Sequence, residues 1–138
     1  MRAFIDTSTL FKKYVEEKGT AELLSLLDDV SDIIISPVTY IEIVNALSRY
    51  CATNKLGTKE FNKIKQEVDV DSGYFSRVPL SDELETIATH LCRKYELKAY
   101  DLVQLSAAII AKPKFFLTSD KQLYNVAKKE IKNSEFIG

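Results

Sequence analysis

The chain has 138 residues, of which 46% are hydrophobic and 28% charged, the composition of a folded domain with its own core. Its formal net charge of −1 excludes proteins that coat nucleic acid through overall positive charge. A single histidine, His90, and two widely spaced cysteines, Cys51 and Cys92, argue against a histidine dyad, a disulfide framework and a zinc finger. We expect both cysteines to be buried free thiols.

No apolar run is long enough to cross a bilayer, and the segment after Met1 lacks the apolar core of a signal peptide. We therefore expect a cytoplasmic protein with no membrane partner. Glycine, proline and serine do not cluster in any linker-like stretch, so residues 1–138 are expected to form a single domain.

The first half of the chain alternates short β-branched runs with helical patterns. We expect a strand at 2–5, helices at 7–15 and 20–28, a strand at 33–35 and a helix from 36 to about 53. Ser36 and Pro37 match the residue preferences of an N-cap and a first helical position, so the last of these helices is expected to begin there.

The second half continues the alternation after a break at 54–57. The expected elements are a helix at 58–71, a short strand or extended link at 74–79, helices at 81–95 and 100–111, a strand at 115–117, a helix at 119–131 and a strand at 135–137. Strands separated by helices predict a three-layer α/β/α domain with a mostly parallel sheet of four to five strands.

Three aspartates stand where such a sheet places its ligands, beyond the carboxyl ends of the strands. Asp6 follows the first strand, Asp120 follows the strand at 115–117, and Asp101 lies in the first turn of a predicted helix. Their convergence at one edge of the sheet is the functional interpretation of this pattern.

Each aspartate also has a purely structural interpretation. Asp6 can cap the helix that follows it, and Asp101 has the spacing of a capping box with Gln104. Asp120 can complement a helix dipole in a first turn that opens at Ser119. Taken singly, each residue is expected more often as a cap than as a ligand.

Glu42 is the fourth candidate and lies inside a mostly apolar helical stretch. At 3.6 residues per turn, Glu42, Asn45 and Arg49 share one narrow face of that helix. This polar stripe is either solvated, with Arg49 offsetting Glu42, or directed into a shared site.

The four acids together favour a shared acidic pocket. Two carboxylates about 4 Å apart repel by roughly 4 kcal/mol at an effective dielectric constant near 20, so such a pocket needs a cation or protonation. Ligands that are all oxygen select a hard cation, Mg²⁺ or Mn²⁺, over zinc. The expected reaction is metal-assisted hydrolysis of a phosphodiester, which needs no histidine.

Four segments resemble the sequence motifs of PIN-domain nucleases, in the same order and over nearly the whole chain. They are Ile5-Asp6-Thr7-Ser8, Glu42 with Asn45-Ala46-Leu47, Leu97-Lys98-Ala99-Tyr100-Asp101-Leu102-Val103-Gln104-Leu105, and Phe116-Leu117-Thr118-Ser119-Asp120-Lys121. The length of the chain and the residues of the motifs are most similar to those of the VapC-type toxins of toxin–antitoxin pairs. Lys98 departs from the arginine of many relatives, which affects bidentate contacts there but not the carboxylates.

The resemblance implies a central parallel sheet, a magnesium- or manganese-dependent endoribonuclease, a homodimer and a small antitoxin that covers the acidic site. It implies that the metal ligands and catalytic residues are Asp6, Glu42, Asp101 and Asp120. It further implies that the neighbours that support these carboxylates are Thr7, Ser8, Asn45, Thr118 and Ser119.

Three other functions remain to be compared with this one. A PIN-type nuclease can process RNA without an antitoxin, and a PIN-type module can bind RNA or protein without cutting. A receiver-like phosphoacceptor domain also gathers acids around Mg²⁺, but it would show an acidic pair after its first strand. Here only Asp6 follows that strand, and Ser36-Pro37 follows the next one.

Overall fold

The computed structural model describes residues 1–138 and contains a five-stranded, fully parallel sheet. The strands, in the spatial order β3-β2-β1-β4-β5, are β1 (Arg2–Ile5), β2 (Asp32–Ile35), β3 (Ser76–Arg77), β4 (Phe115–Thr118) and β5 (Ser134–Phe136). β1 occupies the centre, where Phe4 is paired with Ile34 on one side and with Phe116 on the other.

Seven α-helices cover the two faces of the sheet, which confirms the predicted three-layer α/β/α fold. They are α1 (Thr7–Leu10), α2 (Thr20–Leu27), α3 (Thr39–Thr53), α4 (Thr58–Ser72), α5 (Asp82–Lys94), α6 (Ala99–Ala111) and α7 (Lys121–Glu130). None of them combines the length and the apolar character that a membrane crossing requires.

The core consists of two apolar clusters, one on each face of the sheet. Alternate residues of a strand point to opposite faces, so consecutive apolar residues supply both clusters. Ala3 and Ile5 pack with residues of α1 to α4, whereas Phe4 packs with residues of α5 to α7. The continuous apolar run at the start of the chain is therefore the signature of a strand buried on both faces.

The helix predicted at 7–15 is shorter than expected. The α-helical part ends at Leu10, and Phe11–Lys13 tighten into one turn of 3₁₀-helix. Tertiary hydrogen bonds hold this turn, because Lys13 Nζ and Tyr14 Oη both donate to Asp71 Oδ2 of α4, at 2.6 and 2.9 Å. The sequence pattern alone does not reveal these partners.

The predicted N-cap at Ser36 is also wrong, because α3 begins three residues later, at Thr39. Ser36 Oγ accepts a hydrogen bond from the Val38 amide, and the Ser36 amide donates to Thr39 Oγ1. These local bonds complete a buried turn that carries the chain from β2 into the helix. Ser36 thus ends the strand rather than capping the helix.

Two further expectations are corrected. The strand predicted at 74–79 is reduced to Ser76–Arg77, which pair with β2 at the edge of the sheet before Pro79, a residue that cannot donate a backbone hydrogen bond. Cys51 is buried as expected, but Cys92 is exposed, because it lies on the outer side of α5.

Candidate active site

Asp6 is the innermost of the four acids and directly follows the central strand. Only 3% of the residue is exposed. Its Oδ1 accepts hydrogen bonds from the Thr9 amide and from Ser8 Oγ, each at 3.0 Å, and its Oδ2 accepts one from Thr118 Oγ1 at 2.6 Å. Burial raises the pKa of Asp6, and these hydrogen bonds oppose the rise.

Asp120 stands at the end of the neighbouring strand β4 and is the N-cap of α7. Its Oδ1 accepts a hydrogen bond from the Leu123 amide at 3.0 Å, and its own amide donates to Thr118 Oγ1 at 3.1 Å. Thr118 Oγ1 therefore links the two strand-end aspartates. The expectation that Ser119 opens this helix is wrong, because Asp120 satisfies the first-turn amide itself.

Glu42 reaches the site from the first turn of α3. Its Oε1 accepts hydrogen bonds from Thr7 Oγ1 at 2.7 Å and from Gln104 Nε2 at 2.8 Å. Gln104 is only 2% exposed and also lies 2.9 Å from Thr7 Oγ1. The side-chain amide of buried Gln104 thus holds one oxygen of Glu42 in place by a hydrogen bond.

Gln104 is the functional neighbour that the sequence interpretation missed. Its spacing from Asp101 suggested a capping box, but α6 has Lys98 as its N-cap and no side-chain capping bond. The available signal was an uncharged polar residue in the apolar run Leu102-Val103-Gln104-Leu105, since a buried amide needs partners.

Asp101 lies half-buried in the first turn of α6. Burial raises its pKa to about 6, with further contributions from the negative charges of Asp120, Asp6 and Glu42, while Lys98 opposes the rise. Three other acids therefore act on this one carboxyl group. The four predicted acids share one electrostatic environment although they come from four separate elements.

A cavity of about 800 Å³ connects these groups at the carboxyl edge of the sheet. The predicted residues in its lining are Asp6, Thr7, Ser8, Glu42, Asn45, Asp101, Ser119 and Asp120. Thr118 is fully buried and contacts Asp6 from within the sheet. The structure thus brings all the candidate site residues to one place.

The predicted supporting residues differ in what they contact. Thr7 bonds to Glu42, and Ser8 and Thr118 bond to Asp6. Ser119 Oγ instead lies 2.9 Å from Thr9 Oγ1 and so acts on the carboxylates only through a neighbour.

Asn45 is exposed on the wall of the cavity, one turn of α3 beyond Glu42. It shares this polar face with Arg49, which lies in the same lining. The stripe identified in the sequence is therefore directed at the cavity.

The donor chemistry of the site fits a hard divalent cation. All the candidate ligands are carboxylate oxygens, which Mg²⁺ and Mn²⁺ prefer. The shared negative charge is the kind that such a cation relieves. No group of three or more acidic, histidine or cysteine side chains has the close spacing of a preformed ligand set, so the four-ligand metal site stays a prediction.

Three solved structures resemble this chain. VapBC2 from Rickettsia felis, bound to a DNA fragment from its promoter, is 17% identical with a TM-score of 0.69, over 99% of this chain and 98% of that one. A toxin–antitoxin complex from Klebsiella pneumoniae is 18% identical with a TM-score of 0.68, over 90% and 92%. FitAcB from Neisseria gonorrhoeae is 14% identical with a TM-score of 0.70, over 97% and 96%.

At these identities, the similarity establishes a shared fold. No curated protein matches the chain. The family model described as the PIN domain matches residues 3–129, which is most of the chain. The resemblance found in the sequence motifs is therefore confirmed, and the chain belongs to the PIN domain family.

Proposed function

We propose that this protein is a Mg²⁺- or Mn²⁺-dependent endoribonuclease that hydrolyses RNA phosphodiester bonds. The observation that carries the proposal is the shared cavity, lined by acids from four elements, in which burial and the charges of Asp120, Asp6 and Glu42 raise the pKa of Asp101. Such repulsion lowers the stability of a metal-free protein, so it indicates a site that has a ligand to bind.

The residues that would hold the cation are Asp6, Glu42, Asp101 and Asp120. When bound there, a divalent ion would supply Lewis acidity and positive charge opposite the oxygens of the phosphodiester. The protein's own part is to keep the carboxylate oxygens oriented and ionised.

Two hydrogen-bonded groups perform that part. Thr118, Ser8 and the Thr9 amide fix both oxygens of Asp6, which is otherwise buried without a counter-charge. Gln104 and Thr7 fix Oε1 of Glu42. Hydrogen bonds of this kind favour the charged form of a carboxyl group and set its direction.

The test is Mn²⁺-stimulated cleavage of single-stranded RNA by Asp6→Asn and Asp101→Asn. Each is expected to lose more than about a hundredfold in cleavage rate, since each removes a charged ligand. Asp28→Asn is the matched control, because Asp28 is exposed at the end of α2 and outside the cavity. EDTA is expected to stop cleavage by the wild-type protein. Full activity in either site variant, or activity that persists in EDTA, would contradict the proposal.

We further propose that the protein is the toxin of a type II toxin–antitoxin pair. On this proposal it acts in the cytoplasm as a homodimer that binds a small antitoxin over the carboxylate cavity. The support comes from fold similarity to the VapBC2 and Klebsiella complexes and from the motif pattern.

Co-expression with a small protein encoded next to this chain's own gene should yield a stable complex that no longer cleaves RNA. An active protein that never acquires such a partner would instead favour a PIN nuclease that processes RNA alone. An inactive protein that still binds RNA would favour a module that binds without cutting.

A further inference from the structure

Two cationic side chains that take part in no ion pair flank the carboxylates from different cavities, whereas Lys12, a third cation of the larger cavity, is paired with Glu17 at 3.7 Å. The 800 Å³ cavity extends along α3 and includes Arg49 in its lining. A second cavity of about 380 Å³ is lined by Lys98. Both cavities share Glu42, Asp101 and Asp120, so the carboxylate site is where they meet.

Arg49 is free to bind an external anion. Its side chain is exposed and takes part in none of the ion pairs of the structure. Arg49 lies seven residues beyond Glu42, about 10 Å along the axis of α3, and helical side chains lean back toward the N-terminus. A guanidinium group at that distance reaches a phosphate beside the one that faces the carboxylates.

Lys98 occupies the corresponding position in the second cavity. It precedes α6, is exposed, and takes part in no ion pair. Its charge acts on Asp101, which places the ammonium group in the field of the carboxylate site. The acidic centre is therefore bordered by one uncommitted cation in each cavity.

Tyr100 stands where the two cavities join. It is 59% exposed and contributes to the lining of both. An exposed aromatic ring beside a phosphate-binding site offers a stacking surface to an unpaired base, whereas the bases of a duplex are already stacked on one another. Tyr100 thus favours a single-stranded substrate.

Resting on the proposed function, we propose that single-stranded RNA crosses the carboxylate site from one cavity into the other. Arg49 binds a phosphate on one side of the scissile bond, Lys98 binds a phosphate on the other side, and Tyr100 stacks against a base between them. The regularly spaced phosphates of an RNA backbone can match two separated cations, whereas an acidic peptide has no charge along its backbone. These local contacts also explain how a protein of net charge −1 can hold a polyanion.

The experiment measures binding of a labelled ten-nucleotide single-stranded RNA by fluorescence anisotropy, in EDTA and across a range of salt concentrations. An Asp120→Asn background lowers the negative charge of the site. Within it, Arg49→Gln and Lys98→Gln should each weaken binding about fivefold and reduce the slope of log Kd against log salt by about 0.7. Tyr100→Leu should weaken binding by up to tenfold without changing the slope.

Arg93→Gln is the matched control for charge. Arg93 is an exposed residue of α5 that lines a different cavity with Thr86, Thr89 and His90. It should leave both affinity and slope unchanged. If Arg49→Gln and Lys98→Gln behave like Arg93→Gln, or if the background protein binds no RNA, the proposed path is wrong.

Steady-state cleavage by the otherwise wild-type protein separates this inference from the proposed function. Arg49→Gln and Lys98→Gln should raise KM with little change in kcat. Cleavage with unchanged KM in both variants overturns the path and leaves the nuclease function intact. RNA binding that follows the predicted slopes without any cleavage overturns the nuclease function and leaves the path intact.

Discussion

Acidic residues play opposite parts in two regions of this molecule. On α4, Asp71 accepts hydrogen bonds from Lys13 and Tyr14, so its charge is matched by a cation and a phenol. In the cavity, Asp101 has no such partner, and burial together with the charges of three other carboxylates raises its pKa. The first arrangement ties two helical segments together, whereas the second is expected to reduce the stability of the metal-free protein and to favour the proposed cation site.

The largest effect on stability is expected from Asp71→Ala. The substitution removes the partner of the buried Tyr14 hydroxyl and of Lys13 Nζ, and burial together with Asp71 already raises the pKa of Tyr14. We expect a loss of about 2–3 kcal/mol in the free energy of unfolding, measured by urea denaturation. A loss no larger than that of Asp28→Asn would show that this cluster does not stabilise the fold.

Gln104→Leu is expected to cost somewhat less, about 1–2 kcal/mol, because a buried amide is replaced by an apolar side chain of similar size. Glu42 then loses one of its two hydrogen-bond donors, and RNA cleavage should fall about tenfold or more. Normal stability and normal cleavage in this variant would show that Gln104 does not support the site.

Asp101→Asn should do the reverse of Asp71→Ala and stabilise the metal-free protein. At pH 8 in EDTA, we expect the free energy of unfolding to rise by about 1 kcal/mol, a value that allows for solvent screening of a half-exposed group. The gain should be seen as a higher melting temperature. An unchanged or lower melting temperature would mean that the four acids do not repel one another.

The stabilisation by Asp101→Asn should depend on pH. The folded-state pKa of about 6 lies above the ordinary aspartate value of 3.8, so protonation favours folding. The wild-type protein therefore loses this stability as the pH rises through about 6, and the advantage of the variant should shrink toward pH 4. A difference in melting temperature that is constant from pH 4 to pH 8 would contradict the assignment.

The smallest effect is expected from Glu130→Gln. Glu130 accepts a hydrogen bond from Lys94 at 3.0 Å and another from Tyr95, and these bonds lower its pKa. Because this pair lies near the surface, the melting temperature should fall by no more than about 2 °C, with the larger part of the loss at low salt. A larger loss that is independent of salt would show that this pair stabilises the fold as Asp71 does with Lys13 and Tyr14.

The sheet and its order of helices could be predicted from the sequence because they depend on local patterns. A strand such as Arg2–Ile5 is recognised by its short apolar run, and a helix such as Asp82–Lys94 by its Ser81 cap, which bonds to the Leu84 amide. The start of Thr39–Thr53 could not be predicted, because buried side-chain bonds within the preceding turn decide where that helix begins.

The candidate site shows a different limit of sequence analysis. In the sequence, capping and a shared acidic site are alternative interpretations, yet Asp6 and Asp120 do both: each caps a helix through one oxygen and lines the same cavity. The helix start fixes the carboxylate, and the sheet edge brings it to its partners. Gln104 was missed because its partners lie far away in sequence.

The most direct measurement is the anomalous difference density of a crystal of the wild-type protein soaked in Mn²⁺. We predict a peak in the cavity with carboxylate oxygens of Asp6, Glu42, Asp101 and Asp120 around it, absent from crystals of Asp101→Asn. A soaked crystal with no peak there, or with a peak bound only elsewhere on the surface, would contradict the central claim that these acids form one cation site.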